Sequence, residues 1–343
     1  MTAQDQLTAL QTRRRHFLLA TLAILSSARF ANAEPRRFRV AFANLNEELG
    51  ARIDGLTFTG AEIRRSFELA SRSLPLDMTY YDNGGDAEKA LANARDAISR
   101  MVDLYIEYNA DADANAEIGR QMAAAGIPVL AVNCPVPGAP LYTADHLGAG
   151  RLAGQTLGRF AKENWSDQTL VAAILGDVAD PSPSIAARIQ GVTEGLTQEL
   201  PSLSPTRLDS AGHPVRAGDV LAKFLATQTR RKVLVAALDD ASALAAKSAV
   251  DTAVRVSDCV IVSQGATRLI HGGASEKKEI DPANRGSIVL GSVGYFFDRY
   301  GYEILPIALR MLRGEPVPPQ TSTRHILISA NNVFAEYPPY DMN

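Results

Sequence analysis

From Phe38 to Val262, short β-branched or apolar runs alternate with helical patterns, and this alternation restricts the fold more than any other feature of the chain. Arg39–Ala43 reads as a strand, Ala61–Ser73 as a helix, Asp77–Tyr81 as a strand and Ala87–Arg100 as a helix. Val102–Ile106, a helix near Ala114–Ala125, and Pro128–Val132 follow. After Tyr142–Ala144 the pattern restarts at Asp145, with helices at Leu147–Glu163, Ser184–Glu199, Arg216–Thr227 and Ala241–Val254. The strands between and after them are Leu170–Leu175, Leu203–Leu208, Lys232–Ala236 and Cys259–Val262. Strands joined through helices by short links form parallel sheets covered on both faces. The expected class is therefore α/β, with two doubly wound parallel-sheet lobes. Residues Ala266–Arg285 break the alternation and read as a surface loop or short helix. Ser287–Leu290 reads as a strand, Tyr300–Leu312 as a helix and His325–Ser329 as a last strand. The tail Tyr337-Pro338-Pro339-Tyr340 cannot continue a sheet and is expected to run extended on the surface.

Residues 12–33 have a different character. Arg13-Arg14-Arg15 precede an apolar run from Phe17 to Leu25, and Ala31-Asn32-Ala33 follows. A basic segment, a short apolar segment and a small-x-small ending describe a cleavable export signal, with the mature chain starting at Glu34. The apolar run is about half of what a bilayer span needs. The arginine pair before His16-Phe17-Leu18 also fits a twin-arginine signal, and both export routes stay open. Residues 1–33 carry four arginines and one aspartate, so the 35 basic and 38 acidic residues become 31 and 37 in the mature chain. A net charge near −6 leaves no electrostatic footprint for nucleic acid or an anionic membrane. Cys134 and Cys259 are too few for a disulfide scaffold and fall in different lobes, so free thiols are expected.

Several chemistries are missing. The five histidines (His16, His146, His213, His271, His325) are scattered without a carboxylate or cysteine at metal-ligand spacing, so no metal is expected. There is no nucleophile elbow, no phosphate loop and no paired cysteines. Gly148-x-Gly150-x-x-x-Gly154 follows Asp145-His146 rather than an apolar strand, and reads as helix-packing glycines rather than a dinucleotide fingerprint. Nothing prepares a nucleophile or a proton-transfer pair, so no enzyme and no cofactor are expected.

In open parallel sheets, ligands bind outside the carboxyl ends of the strands. Those ends carry Asn44, Asn46, Asp82, Asn83, Asn109, Asn133, Asp177, Asp209, Asp239, Asp240 and Gln264. Each is an amide or carboxylate able to take two hydrogen bonds from vicinal hydroxyls. Asp82, Asn109 and Asp209 are assigned to caps or turns, which favour the same residue types. Arg188, in the first turns of its helix, opposes the helix dipole, and a cleft-facing and a solvated arginine both stay open.

The chain resembles the periplasmic sugar-binding proteins of ABC importers, of the two-lobed ribose/galactose-binding type, over nearly all of Phe38–Ser329. The resemblance is carried by Ile127-Pro128-Val129-Leu130-Ala131-Val132-Asn133, by Asp145-His146-Leu147-Gly148-Ala149-Gly150-Arg151-Leu152-Ala153-Gly154, by Ala187-Arg188-Ile189-Gln190-Gly191 and by Asp239-Asp240-Ala241-Ser242. It implies the type I periplasmic binding protein fold, with lobes joined by hinge strands. The implied lobes are residues 34–144 with 296–324 and residues 145–295 with 325–337, leaving a tail at 338–343. Hinges fall at Thr143–Asp145, Gly294–Tyr295 and Thr323–Arg324.

The resemblance also implies a ligand between the lobes. Phe58 matches a ring that stacks on sugar, Arg188 a hydroxyl-binding arginine and Asp239 an asparagine or aspartate ligand. Asn133 and Cys134 stand where the family has aspartate and arginine, Gln264 where it has aspartate, and Tyr295 near a glutamine at a lobe crossing. Asn46 completes the implied set, and the segment Asn46–Gly55 lengthens the first loop. The implied role is capture of a sugar or polyol by an exported monomer for an ABC permease in the inner membrane. The alternative is a receptor signalling through a sensor kinase or chemoreceptor. DNA-binding relatives of this core need an N-terminal helix-turn-helix, where this chain has an export signal. Arg188 and Asp239 are expected to face Asn133 across an open cleft. Their alanine variants would then weaken binding about tenfold with little change in stability.

Overall fold

The computed structural model describes residues 36–272 and 277–338. The export signal read at residues 1–33, the mature start at Glu34 and the end of the tail lie outside the described residues. The first five strands are β1 (Phe38–Asn44), β2 (Leu76–Asp82), β3 (Leu104–Glu107), β4 (Val129–Val132) and β5 (Leu141–Thr143). The next five are β6 (Leu170–Gly176), β7 (Thr206–Asp209), β8 (Lys232–Ala237), β9 (Cys259–Gly265) and β10 (Val289–Gly294). Two short strands follow, β11 (Gln320–Ser322) and β12 (Leu327–Ile328).

These make two six-stranded sheets, ordered β11-β5-β4-β3-β1-β2 and β12-β10-β9-β8-β6-β7. The pairings of β1 with β3, β3 with β4 and β4 with β5 are parallel, as are those of β8 with β6 and β9 and of β9 with β10. Among the described pairings between named strands, that of β10 with β12 is antiparallel. The chain passes from the first sheet to the second after β5, returns with β11 and ends in the second with β12. The central strands are dry: Val233 to Ala237 on β8 and Val40 to Ala43 on β1 have no exposed surface. Burial on both faces explains their unbroken apolar character.

The covering helices are α1 (Gly60–Ser71), α2 (Ala87–Ser99), α3 (Ala112–Ala124), α4 (His146–Asn164) and α5 (Pro183–Glu199). They continue with α6 (Pro214–Thr227), α7 (Asp240–Thr252), α8 (Tyr300–Leu312) and the short α9 (Val333–Glu336). Most begin on a side-chain cap placed soon after a strand: Asp86, Asp111, Asp145, Ser182 and Asp239 each accept a backbone N–H, and Thr59 with Glu62 forms a capping box. Such caps satisfy amides that the first helical turn leaves open. Asp82, Asn109 and Asp209 do serve turns, each accepting a backbone N–H two residues on, from Gly84, Asp111 and Ala211.

The glycines after Asp145 are packing residues. An ideal Cβ on Gly150 would stand 2.2 Å from the carbonyl oxygen of Arg188, and one on Gly191 would stand 2.1 Å from that of Leu147. Helices α4 and α5 therefore touch backbone to backbone. Gly150→Ala is expected to push them apart at a cost of about 1–3 kcal/mol, the usual penalty for overpacking. Urea unfolding measures it, and a neutral substitution would mean that the helices can slide.

The sequence missed β11 and placed the strand read at Ser287–Leu290 a few residues early, since it runs Val289–Gly294. The strand read at Leu203–Leu208 is shorter and later, at Thr206–Asp209. No helix among the described residues is long and apolar enough to cross a membrane.

Candidate functional site

The lengthened first loop is a hairpin whose tip reaches the ends of both sheets. Ile53 and Leu56 form an antiparallel bridge, and Leu56 N donates to Ile53 O at 2.9 Å. Between them Asp54 and Gly55 both have positive φ, 52° and 69°, the left-handed pair that a tight hairpin turn demands. Ile53, Leu56 and Phe58 are buried and anchor the hairpin.

At the tip, the Asp54 Oδ2 accepts from Tyr108 OH and from Asn133 Nδ2, both at 3.1 Å. Tyr108 follows β3 directly, and Asn133 follows β4 in a left-handed conformation. The Asn133 amide is fully employed: Nδ2 also donates to Tyr108 OH at 3.0 Å, and Oδ1 accepts from Ala144 N and Tyr300 OH.

The second sheet contributes Arg188. It sits on the face of α5 that carries Ile185, Ile189 and Val192, and it has no exposed surface. Its guanidinium donates from Nη1 to Leu238 O at 2.9 Å and from Nη2 to the carbonyl of Asp54 itself. The Tyr295 ring centroid is 6.0 Å from the Arg188 Cζ. Arg188 therefore does not line an open cleft, and the expectation that its removal spares stability is corrected. A buried cation bonded to two carbonyls is part of the core.

Electrostatics follow from this burial. Burial raises the Asp54 carboxyl above its usual range, against the opposing pull of Arg188, Tyr108 and Asn133. His146 Nε2 lies 4.0 Å from the Asp54 Oδ2. Burial, helped by the charges of Arg188 and His325, pushes its pKa down to about 3, so it is neutral at physiological pH. Burial also pushes the thiols of Cys134 and Cys259 up to about 12 and 11; both are free, and burial disfavours the thiolate that would make them nucleophiles.

The remaining expected site residues divide. Tyr295 is buried beside His146 and His325, with ring centroids at 5.6 and 4.7 Å, and its hydroxyl donates to Gln264 Oε1 at 3.2 Å. Asp239 caps α7, accepting from Ser242 N and Oγ, and stands 4.0 Å from Arg52 of the hairpin. Phe58 packs on Phe297 with ring centroids 5.3 Å apart. Asn46 lies outside the hairpin, two residues after β1, with Oδ1 accepting from Glu48 N at 2.8 Å. Asn133, Arg188, Gln264 and Tyr295 thus converge, joined through Asp54, Tyr108 and His146, which the sequence reading did not single out. An Asp-Gly pair between apolar residues was the available signal for the hairpin.

A cavity of about 300 Å³ borders this cluster, lined among others by Arg52 and Gly55 from the hairpin and by Asp177, Asp180, Leu238 and Asp239 from the second sheet's side. A larger depression of about 800 Å³ lies along Ile189, Gln190 and Thr193 of α5, and neither space is lined by the converging side chains themselves. The smaller cavity is the better site candidate, because it adjoins the strand ends and the buried polar groups. Among the described residues no group of side chains could hold a metal.

Among the solved structures that share this fold, three are described. One is an ABC transporter periplasmic solute binding protein from Actinobacillus succinogenes with bound D-allose, at 14% identity and TM-score 0.66, covering 86% of this chain and 99% of that one. Another is an ABC transporter solute binding protein from Bacillus halodurans with bound myo-inositol, at 17% identity and TM-score 0.60, covering 90% and 100%. The third is the fructose binding periplasmic domain of a hybrid two component system, at 19% identity and TM-score 0.59, covering 88% and 93%. No curated protein matches the chain. Residues 58–316 match the family model described as the periplasmic binding protein domain, and the chain belongs to that family.

Proposed function

We propose that this protein is an exported, periplasmic solute-binding protein that captures a small polyhydroxylated ligand, a sugar or polyol, between two lobes and delivers it to an ABC importer in the inner membrane. The observation that carries the reading is a set of buried polar atoms without partners around Tyr295: Arg188 Nε, Gln264 Nε2 and His146 Nδ1. Each such atom costs about 1–3 kcal/mol unless something bonds to it. A solute with several hydroxyls, held between the sheets, would relieve that cost. Asn133, Arg188, Asp239, Gln264 and Asn46 supply polar contacts in this reading, and Phe58 and Tyr295 supply apolar faces. The moving bodies are residues 34–144 with 296–324 and residues 145–295 with 325–337. They rotate about Thr143–Asp145, Gly294–Tyr295 and Thr323–Arg324, as hinge closure requires. The protein binds and does not transform its ligand.

A thermal-shift screen against sugars and polyols tests this. A ligand at a hundred times its Kd stabilises the fold by about 2.7 kcal/mol, enough to raise Tm by about 5 °C. The best hit should also reduce the radius of gyration in small-angle scattering. A screen with no shift, or binding without compaction, removes the reading. The similarity to a periplasmic domain of a two component system favours one second reading, a receptor that signals through a membrane kinase. Stimulation of a kinase rather than of uptake would select it.

A further inference from the structure

We infer that the solute carries a carboxylate, as an aldonic or uronic acid does, and that it takes the place now held by Asp54. This rests on the solute-binding reading and names the class of solute. Donors outnumber acceptors among the converging groups, the clear exception being His325 Nε2, left an acceptor because its Nδ1 donates to Gly294 O. Asn133 Nδ2, Tyr108 OH and Arg188 Nη2 all donate to Asp54, two of them to its carboxylate and one to its carbonyl. Arg188 Nε and Gln264 Nε2, each on a side chain with no exposed surface, are further donors with nothing to accept from them. The nearby acceptor Asp239 is already engaged by Ser242 and Arg52. The hairpin tip therefore sits in the cluster as a tethered carboxylate, an occupant supplied by the chain itself.

Charge balance leads to the same class. Arg188 is a fully buried cation; burial raises the nearby Asp54 carboxyl, and the charge of Arg188 opposes that rise. A buried charge needs a counter-charge within the same low-dielectric space. A neutral polyol that displaced the tip would leave the guanidinium without one. A carboxylate would restore it, with the same four acceptor positions that the Asp54 carboxylate has. Because Asp54 and Gly55 hold positive φ at the tip, substitution there by Asn or Gly preserves the turn while removing the tethered charge.

Calorimetric titration of matched pairs decides the matter: D-gluconate against D-glucitol, D-glucuronate against D-glucose, and D-galacturonate against D-galactose. The wild type is expected to bind at least one acid tenfold or more tightly than its neutral counterpart. Asp54→Asn and Asp54→Gly, each checked for folding by its melting curve, are expected to bind that acid about tenfold more tightly still, since the internal competitor is gone. Neutral sugars binding as tightly as the acids would overturn the inference and leave the solute-binding reading standing. Unchanged or weakened acid affinity in both variants would also overturn it, because Asp54 would then be no competitor. Failure of every compound to bind either protein would overturn both readings together.

Discussion

Arg188→Ala is expected to destabilise the protein by about 3–5 kcal/mol, the range found when one partner of a buried ionic pair is removed. The guanidinium joins the hairpin to the loop after β8 through the carbonyls of Asp54 and Leu238. Without it both oxygens are left unpaired in a dry environment, and Asp54 loses the charge that opposes its protonation. Arg188→Lys should recover part of the loss, since an ammonium replaces the charge but not the fork of donors. Urea unfolding of the three proteins at pH 7 gives the values. A loss below about 1 kcal/mol in the alanine variant would return Arg188 to the role of an exposed helix residue.

Glu107→Gln is expected to stabilise the protein at high pH by an amount that grows with pH. Glu107 ends β3 with no exposed surface; its Oε1 accepts from Asn83 Nδ2 at 3.1 Å, and its Oε2 has no partner. Burial pushes its pKa from 4.5 up to about 8. Below pH 4.5 the carboxyl is protonated in both folded and unfolded chains, and its contribution is fully present. Between pH 4.5 and 8 the unfolded chain ionises while the folded one must hold the proton. Stability therefore falls by about 1.4 kcal/mol per pH unit, about 5 kcal/mol across the window. An amide at position 107 does not titrate. The difference between variant and wild type, measured by urea unfolding at pH 5 and pH 8, should open over that interval. Other buried groups, such as Asp240 with its pKa pushed up to about 6, cancel in the difference. Parallel profiles would place the titration elsewhere.

The two sheets and most of their helices were legible because their signals are periodic and local. Strands such as Lys232–Ala237 are buried on both faces and so read as continuous apolar runs, while capping aspartates mark where helices begin. β11 was not legible: Gln320-Thr321-Ser322 is a polar edge strand, held by its register with Leu141–Thr143 rather than by any propensity of its own. The site was legible in part. Strand-end polar residues and Arg188 could be named, but not that they would be satisfied by the chain itself. Asp54 is brought to Asn133, 79 positions away, and to Arg188, 134 positions away, and no local pattern encodes such a meeting. Glu107 escaped notice for the opposite reason. It sits in a short strand that reads as ordinary, and only burial gives it an unusual pKa.

The last two strands bear on how the chain is made. A ribosome releases the first sheet's β1–β5 early, yet that sheet gains its outermost strand only when Gln320–Ser322 has emerged. The second sheet waits as long, since β12 closes on β10 through Val293 and Leu327. Pairings that distant in sequence form late, after the cost of closing a long loop has been met. A product interrupted anywhere between residues 295 and 319 would hold both sheets nearly whole. It would also present two bare edges at once, along Leu141–Thr143 and Val289–Gly294. Unpaired edges are templates for association with other chains, so premature termination in this interval should yield aggregates rather than a monomer with a missing tail.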